Sequence, residues 1–274
     1  MKNALAKASR LIGVVAAFSA GAAHAQSVDD GAWIELGSFL ADVDSQGEFR
    51  LPDQLDGVSF DFEEDLGLVD RQDLFSVNAG VRAFDRVVIA ADYYRLDRDS
   101  SLILGRNIQF EDVVFPVSAE VDSGFTSDIY RLTIGYSLIR NERFEFGPAL
   151  GLHATDFDIF VSGEARLAGN QVAQTVRSRD FLAPLPTVGL YGTWQATPWI
   201  TANARVDYMS LAIDDYDGGV TNVQAGVSYA FTENFDLGVQ YRYVDYDLTI
   251  DKDDWAGDLT YTFKGPVIVL RASF

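Results

Sequence analysis

The 274-residue chain carries 21 Lys and Arg against 41 Asp and Glu, a formal charge of −20, and no cysteine. That much negative charge argues against nucleic acid as a partner, and an exported chain without cysteine has no disulfide staples. Frequent glycine, scarce proline and 13% aromatic residues suit strands and turns better than a helical bundle.

The first 25 residues are set apart from the fold. Lys2, Lys7 and Arg10 flank an apolar run at 11–20, and Ala23-His24-Ala25 has the small-residue cleavage pattern of a secretory signal peptide. Cleavage is expected before Gln26, giving a signal peptide over 1–25 and one domain over 26–274. Beyond that run, no segment approaches the ~18 consecutive apolar residues of a transmembrane helix.

Period-2 alternation then dominates and predicts ten strands: 31–42, 73–84, 86–97, 125–138, 143–157, 181–194, 198–212, 219–231, 234–248 and 259–274. Four connections are tight: Phe84-Asp85-Arg86, Arg140-Asn141-Glu142, 195–198 and Thr232-Glu233-Asn234. The others, 43–72, 98–124, 158–180, 213–218 and 249–258, are mostly longer. Short turns on one side and long loops on the other are the layout of a transmembrane β-barrel. Within the longer connections, the runs 113–117 and 170–176 also alternate. They are read as strand extensions above a membrane; paired within the wall they would raise the count to twelve.

The two faces of each strand differ in kind. In 198–212, Ile200, Ala202, Ala204, Val206 and Tyr208 share one face, and Thr201, Asn203, Arg205 and Asp207 the other. In 234–248, Phe235, Leu237, Val239, Tyr241 and Tyr243 oppose Asp236, Gly238, Gln240 and Arg242. A soluble barrel would turn the apolar face inward, a membrane barrel outward. The signal peptide, runs long enough to cross hydrocarbon at a tilt and two sets of aromatics favour the membrane. Phe144, Trp194, Phe231 and Phe235 lie near the short turns, and Tyr93, Tyr130, Tyr208 and Tyr243 towards the long loops. Closure is required, because an open edge in lipid leaves backbone groups unpaired.

The signal peptide, the loop asymmetry, the amphipathic strands and the terminal Phe274 together resemble the outer-membrane β-barrel superfamily of Gram-negative bacteria. The resemblance implies an all-β single antiparallel barrel, most simply ten-stranded with eight or twelve as alternatives. It also implies an outer-membrane location among lipid and lipopolysaccharide, and recognition of Phe274 by the barrel assembly machinery. Ten strands is also similar to the omptin proteases. Asp214-Asp215 is a faint match to their acidic pair, but no His-Asp dyad follows, so that activity is not assigned.

Inward polar faces would place Glu35, Arg82, Asp92, Arg131, Glu145, His153, Arg205, Asp207, Asp236, Arg242 and Arg271 in the lumen. They are read as a plugging network or as the lining of a narrow channel. The connection 43–72 is rich in carboxylates and is read as a solvated acidic surface or a binding loop. Asp251, Asp253, Asp254 and Asp258 are weak candidates for a divalent cation, bridging to lipopolysaccharide phosphates. His153, the single histidine of the mature chain, sits high on 143–157 and is the one candidate base for a hydrolase, expected near the outer rim. No phosphate loop, zinc cluster or haem motif is present, and no cofactor is expected. The function expected is a structural barrel or a narrow passive channel, with a His153 hydrolase or an adhesin as alternatives.

Overall fold

The computed structural model describes residues 30–50, 58–110, 113–166, 172–213, 216–252 and 255–274. The predicted signal peptide and Asp214, Asp215, Asp253 and Asp254 lie outside these residues. The described residues contain no helix and form fourteen strands: β1 (Ala32–Arg50), β2 (Val58–Asp61), β3 (Arg71–Ala83), β4 (Val87–Ile103), β5 (Ile108–Phe110), β6 (Val113–Phe115), β7 (Glu120–Tyr136), β8 (Ile139–Arg140), β9 (Phe144–Arg166), β10 (Val172–Thr197), β11 (Ile200–Ile213), β12 (Tyr216–Ala230), β13 (Phe235–Lys252) and β14 (Trp255–Ser273). The ten long strands pair antiparallel in the ring order β1, β3, β4, β7, β9, β10, β11, β12, β13, β14, and β14 closes on β1. The main chain of Phe274 seals that seam by bonding to Gly31 and Ala32. The predicted ten-stranded antiparallel barrel is the fold observed.

The wall changes character part-way up. Along β13 the outward row begins Phe235, Leu237, Val239, Tyr241, Tyr243 and continues Asp245, Asp247, Thr249. The inward row begins Asp236, Gly238, Gln240, Arg242 and continues Val244, Tyr246, Leu248, Ile250, all buried. On β9, the outward Leu150, Leu152 and Ala154 give way to Asp156 and Asp158, while the inward His153 and Thr155 give way to Phe157, Ile159 and Val161. β4 turns over after Tyr93, β7 at Tyr130, β11 after Tyr208 and β14 at Pro266. The lower half therefore has an apolar exterior over a polar interior, which suits hydrocarbon. The upper half has a polar exterior over an apolar core, which suits water. The predicted upper aromatic set, Tyr93, Tyr130, Tyr208 and Tyr243, sits at this boundary.

This inversion explains where the strand boundaries differ from the sequence-based ones. Crossing the boundary moves the apolar residues from one parity to the other, so the alternation loses phase although the strand continues. Residues 158–166 and 172–180 are the upper arms of β9 and β10, paired from Phe157–Phe181 to Arg166–Val172; 172–176 extends its strand as expected, while the rest replaces an expected connection. The run 113–117 is not a wall strand; β6 pairs chiefly with β5 as a small hairpin.

The expectation of a solvated acidic loop at 43–72 also fails in its described part. Phe60, Phe62, Leu66 and Leu68 are buried in the upper core. Glu63 accepts hydrogen bonds from Arg98 and from Ser45 Oγ (2.7 Å), and Arg98 also bonds to Ser45 (2.8 Å) and stacks over Phe125 at 5.0 Å. The segment is a roof, and burying its aromatics outweighs the cost of burying one well-bonded ion pair. Residues 104–119 complete it with buried Leu104, Ile108, Val113 and Phe115.

Prolines mark two interruptions in the wall; a third, between β3 and β4 above Ser76–Tyr94, has none. Successive strand residues turn their N–H groups to opposite neighbours. Phe274 donates to Ala32 on β1, so Pro266, of the same parity, would face β1, where the ladder skips Leu40 and Ala41. Gly265 there has φ of +156°, and a Cβ would lie 2.0 Å from the Leu40 carbonyl oxygen. The register is the same on both sides of the gap, so the Gly-Pro pair interrupts the ladder locally without adding a residue to either strand.

Candidate functional site in the barrel interior

All eleven predicted lumen residues lie on inward rows, and most belong to several bonded clusters spread across the lower half. At its centre, Arg131 on β7 donates to Asp92 on β4 (2.9 Å) and to Asp207 on β11 (3.2 Å). Arg205, two residues before Asp207 and on the same inward row, donates to both of its carboxylate oxygens (2.7 and 2.8 Å), and Asn222 adds a third donor at 3.0 Å. Nearer the short turns, Arg82 and Glu145 form a two-bond pair, each bond 2.8 Å. Ser137 also donates to Glu145 and meets Tyr191 at 2.9 Å. Such planar two-point pairing orients both partners and supplies bonds that offset desolvation.

The remaining charges are spread over amides and rings. Arg242 donates to Gln224 (3.0 Å) and lies over the rings of Tyr94 (5.1 Å) and Phe39 (5.6 Å). Gln224 donates to Gln240, and Gln240 donates to Glu35 at 3.4 Å. Two glutamines thus connect Arg242 to Glu35 in one direction. Arg271 stacks on Trp33 at 4.8 Å and reaches Asp30 at 3.4 Å. Glu35 and Asp236 are its cross-strand neighbours on β1 and β13. These groups surround a cavity of about 170 Å³ whose walls include Glu35, Arg82, Asp92, Arg131, Arg205 and Arg271.

Above this chamber the interior is packed with aromatic side chains. Tyr246, Tyr261, Phe125, Phe157 and Phe263 are almost wholly buried. Their rings meet at 5.1 Å for Phe125–Tyr261, 5.9 Å for Tyr246–Tyr261 and 5.0 Å for Tyr261–Phe263. His153 lies at the interface of the two zones and is 1% exposed. Its Nε2 is 2.8 Å from the Tyr246 hydroxyl, which meets Thr155 at 2.8 Å. The expectation that His153 lies near an open outer rim is corrected: β9 continues well above it, and the aromatic layer covers it.

Of the cation candidates, Asp258 accepts from Thr249 at 2.6 Å. The side chain of Asp251 is outside the described set with Asp253 and Asp254, and no group of three potential ligands occurs among the described residues. Sequence reasoning missed Asn222, Gln224 and Gln240 as network members, although their inward parity was visible. It also missed Arg98, whose partner Glu63 is 35 residues away in a segment read as solvated.

No family model and no curated protein matches the sequence. Among solved structures, the outer membrane protease OmpT of Escherichia coli is similar at 12% identity, with a TM-score of 0.61 over 90% of this chain and 98% of that one. The toluene transporter TbuX of Ralstonia pickettii gives 10% identity and a TM-score of 0.41 over 89% and 90% of the two chains. The transport unit of the autotransporter AIDA-I of Escherichia coli gives 8% and 0.39 over 89% and 90%. At such identities the likeness concerns fold and not activity. The chain has the fold of the Gram-negative outer-membrane β-barrels.

Proposed function

We propose that the protein is an integral barrel of the outer membrane whose role is structural and which does not conduct along its axis. The observation that carries this is the packed aromatic layer above the lower chamber. A narrow passive channel needs a continuous polar path, and Phe125, Phe157, Tyr246, Tyr261 and Phe263 occupy the space such a path would cross. Below them the arginines are bonded to carboxylates within the wall, as expected of a plugging network that fixes the strands against each other. Export through the predicted signal peptide, insertion through recognition of Phe274, and contact of the outward apolar rows with lipid and lipopolysaccharide belong to the same proposal.

A hydrolase acting through His153 has less support. Its ring is buried under aromatic side chains and bonded to a tyrosine, and a base in that setting has no route to a water-borne substrate. The test of the structural role is conductance. Purified protein in planar bilayers should give no discrete current steps at any applied voltage. Stepwise currents that change when Arg205 or Arg242 is replaced by Ala would overturn it.

A further inference from the structure

Two seams of the wall end without resuming: β3–β4 stops at Ser76–Tyr94, and β10–β11 stops at Val188–Tyr208, the latter alone at prolines. The β10–β11 ladder runs from Thr197–Ile200 up to Val188–Tyr208 and ends there, while β10 stays paired with β9 as far as Val172 and β11 stays paired with β12 as far as Ile213. The cause is in the sequence. Gln195 donates its N–H to Arg143 on the β9 side, so the even residues of β10 turn towards β11. The next even positions above Val188 are Pro186 and Pro184, which have no N–H to donate. The seam lies at the rim of the apolar exterior, flanked by the outward Leu182, Val188 and Tyr208.

Behind the seam are two open hydrogen-bonding atoms. Thr187, between Val188 and Pro186, is 3% exposed, and His153, paired across β9–β10 with Leu185, is 1% exposed. Thr187 Oγ1 and His153 Nδ1 make no hydrogen bond among the described residues. The apolar Leu185 stands between the seam and the interior, its tip 3.5 Å from where a Cβ on Gly218 would lie.

We infer that the β10–β11 seam is a lateral portal through which an amphiphile from the surrounding lipid inserts, placing a hydrogen-bonding head group against Thr187 and His153. A strand from a partner does not fit this edge, because two successive positions offer no donor to it. The head group is uncharged, since the charges nearest it, Arg131 and Asp207, are already bonded to each other. The portal is independent of whether the barrel conducts along its axis.

The chain contains no cysteine, so single-cysteine variants in proteoliposomes report one position each. Thr187→Cys should react with the lipid-soluble N-(1-pyrenyl)maleimide at least tenfold faster than Ser228→Cys, an inward buried position on β12 whose ladders to β11 and β13 run without a gap. Adding Pro184→Thr and Pro186→Thr, which restores both donors, should slow Thr187→Cys at least tenfold. A diazirine-bearing monoacylglycerol should crosslink to the peptide around 182–188 in the wild type and not in the double threonine variant. Equal rates at Thr187 and Ser228, no effect of the threonines, or faster labelling of Thr187→Cys by a charged methanethiosulfonate from water would each overturn the portal.

Discussion

Arg131 offers the sharpest test of what holds the lower barrel together. In Arg131→Met the volume is roughly kept while the guanidinium is lost. Asp207 retains two bonds from Arg205 and one from Asn222. Asp92 loses its bonded cation, as Arg131 is the one ion-pair partner found for it among the described residues. Removing one partner of a buried pair costs about 3–5 kcal/mol, because it strands the other charge; that is about 10²- to 10⁴-fold in the folding equilibrium. Neutralising the stranded group should recover most of it, so Arg131→Met with Asp92→Asn should lie within about 2 kcal/mol of wild type. The exposed pair Arg71–Asp42, 80% and 57% exposed, should cost less than about 1 kcal/mol when broken by Arg71→Met. Urea unfolding in lipid vesicles, followed by tryptophan fluorescence, measures these three variants and Asp92→Asn alone. A loss below 1 kcal/mol for Arg131→Met, or additive losses in the double variant, would refute the claim that the pair is buried and coupled.

Three further outcomes are expected. Phe274→Asp should sharply lower assembled protein in cells yet change refolded stability in vesicles by less than about 1 kcal/mol, because Phe274 seals the β1–β14 seam through its main chain and its ring is 63% exposed; equal defects in both assays would refute the assembly-signal role. Gly265→Ala should destabilise by about 1–3 kcal/mol, from positive φ and collision with the Leu40 carbonyl, and an unchanged urea midpoint would refute it. In the roof, the hydrogen bond from Arg106 holds the Asp65 carboxyl below the usual carboxylate range. A lowered folded-state pKa stabilises above the unfolded value, so this latch acts at neutral pH and is lost as pH falls below about 4. Limited proteolysis of the roof should therefore rise towards acid in the wild type and show a weaker pH dependence in Asp65→Asn; identical profiles would refute the latch.

How legible this molecule is from sequence depends on height. In the lower half each residue answers to one local rule, apolar outward and polar inward, and a period of two reveals strand, face and girdle together. Phe235 to Tyr243 on β13 can be read without any partner strand. At Val244 the rule changes sign, because the exterior becomes water and the interior becomes a core. A window spanning 240–250 then contains two opposed alternations, and on β9 the same change of sign makes 158–166 read as a connection. The acidic roof was misread for a related reason. Its carboxylates suggested solvation, but Phe60, Phe62 and Leu66 share the same short segment, and which group decides depends on Phe125 and Arg98 far along the chain. Parity identifies the lumen residues, while the pairing of Arg131 with Asp92 and Asp207 rather than another carboxylate depends on the shear of the closed barrel.

The same inversion bears on function. A barrel that conducts keeps its interior polar along the whole axis, and its strands stay apolar-out and polar-in until they end. Here the inner face becomes apolar just where the outer face leaves the hydrophobic belt, so the upper half stabilises itself as a soluble β-barrel would, by burying aromatics. On the proposed reading, the upper interior that stabilises this half is not a passage. A small molecule acting at this barrel would then approach from the membrane plane, through the proposed portal, or from the short-turn side into the lower chamber, and the cysteine reactivities at Thr187 and Ser228 separate those two directions.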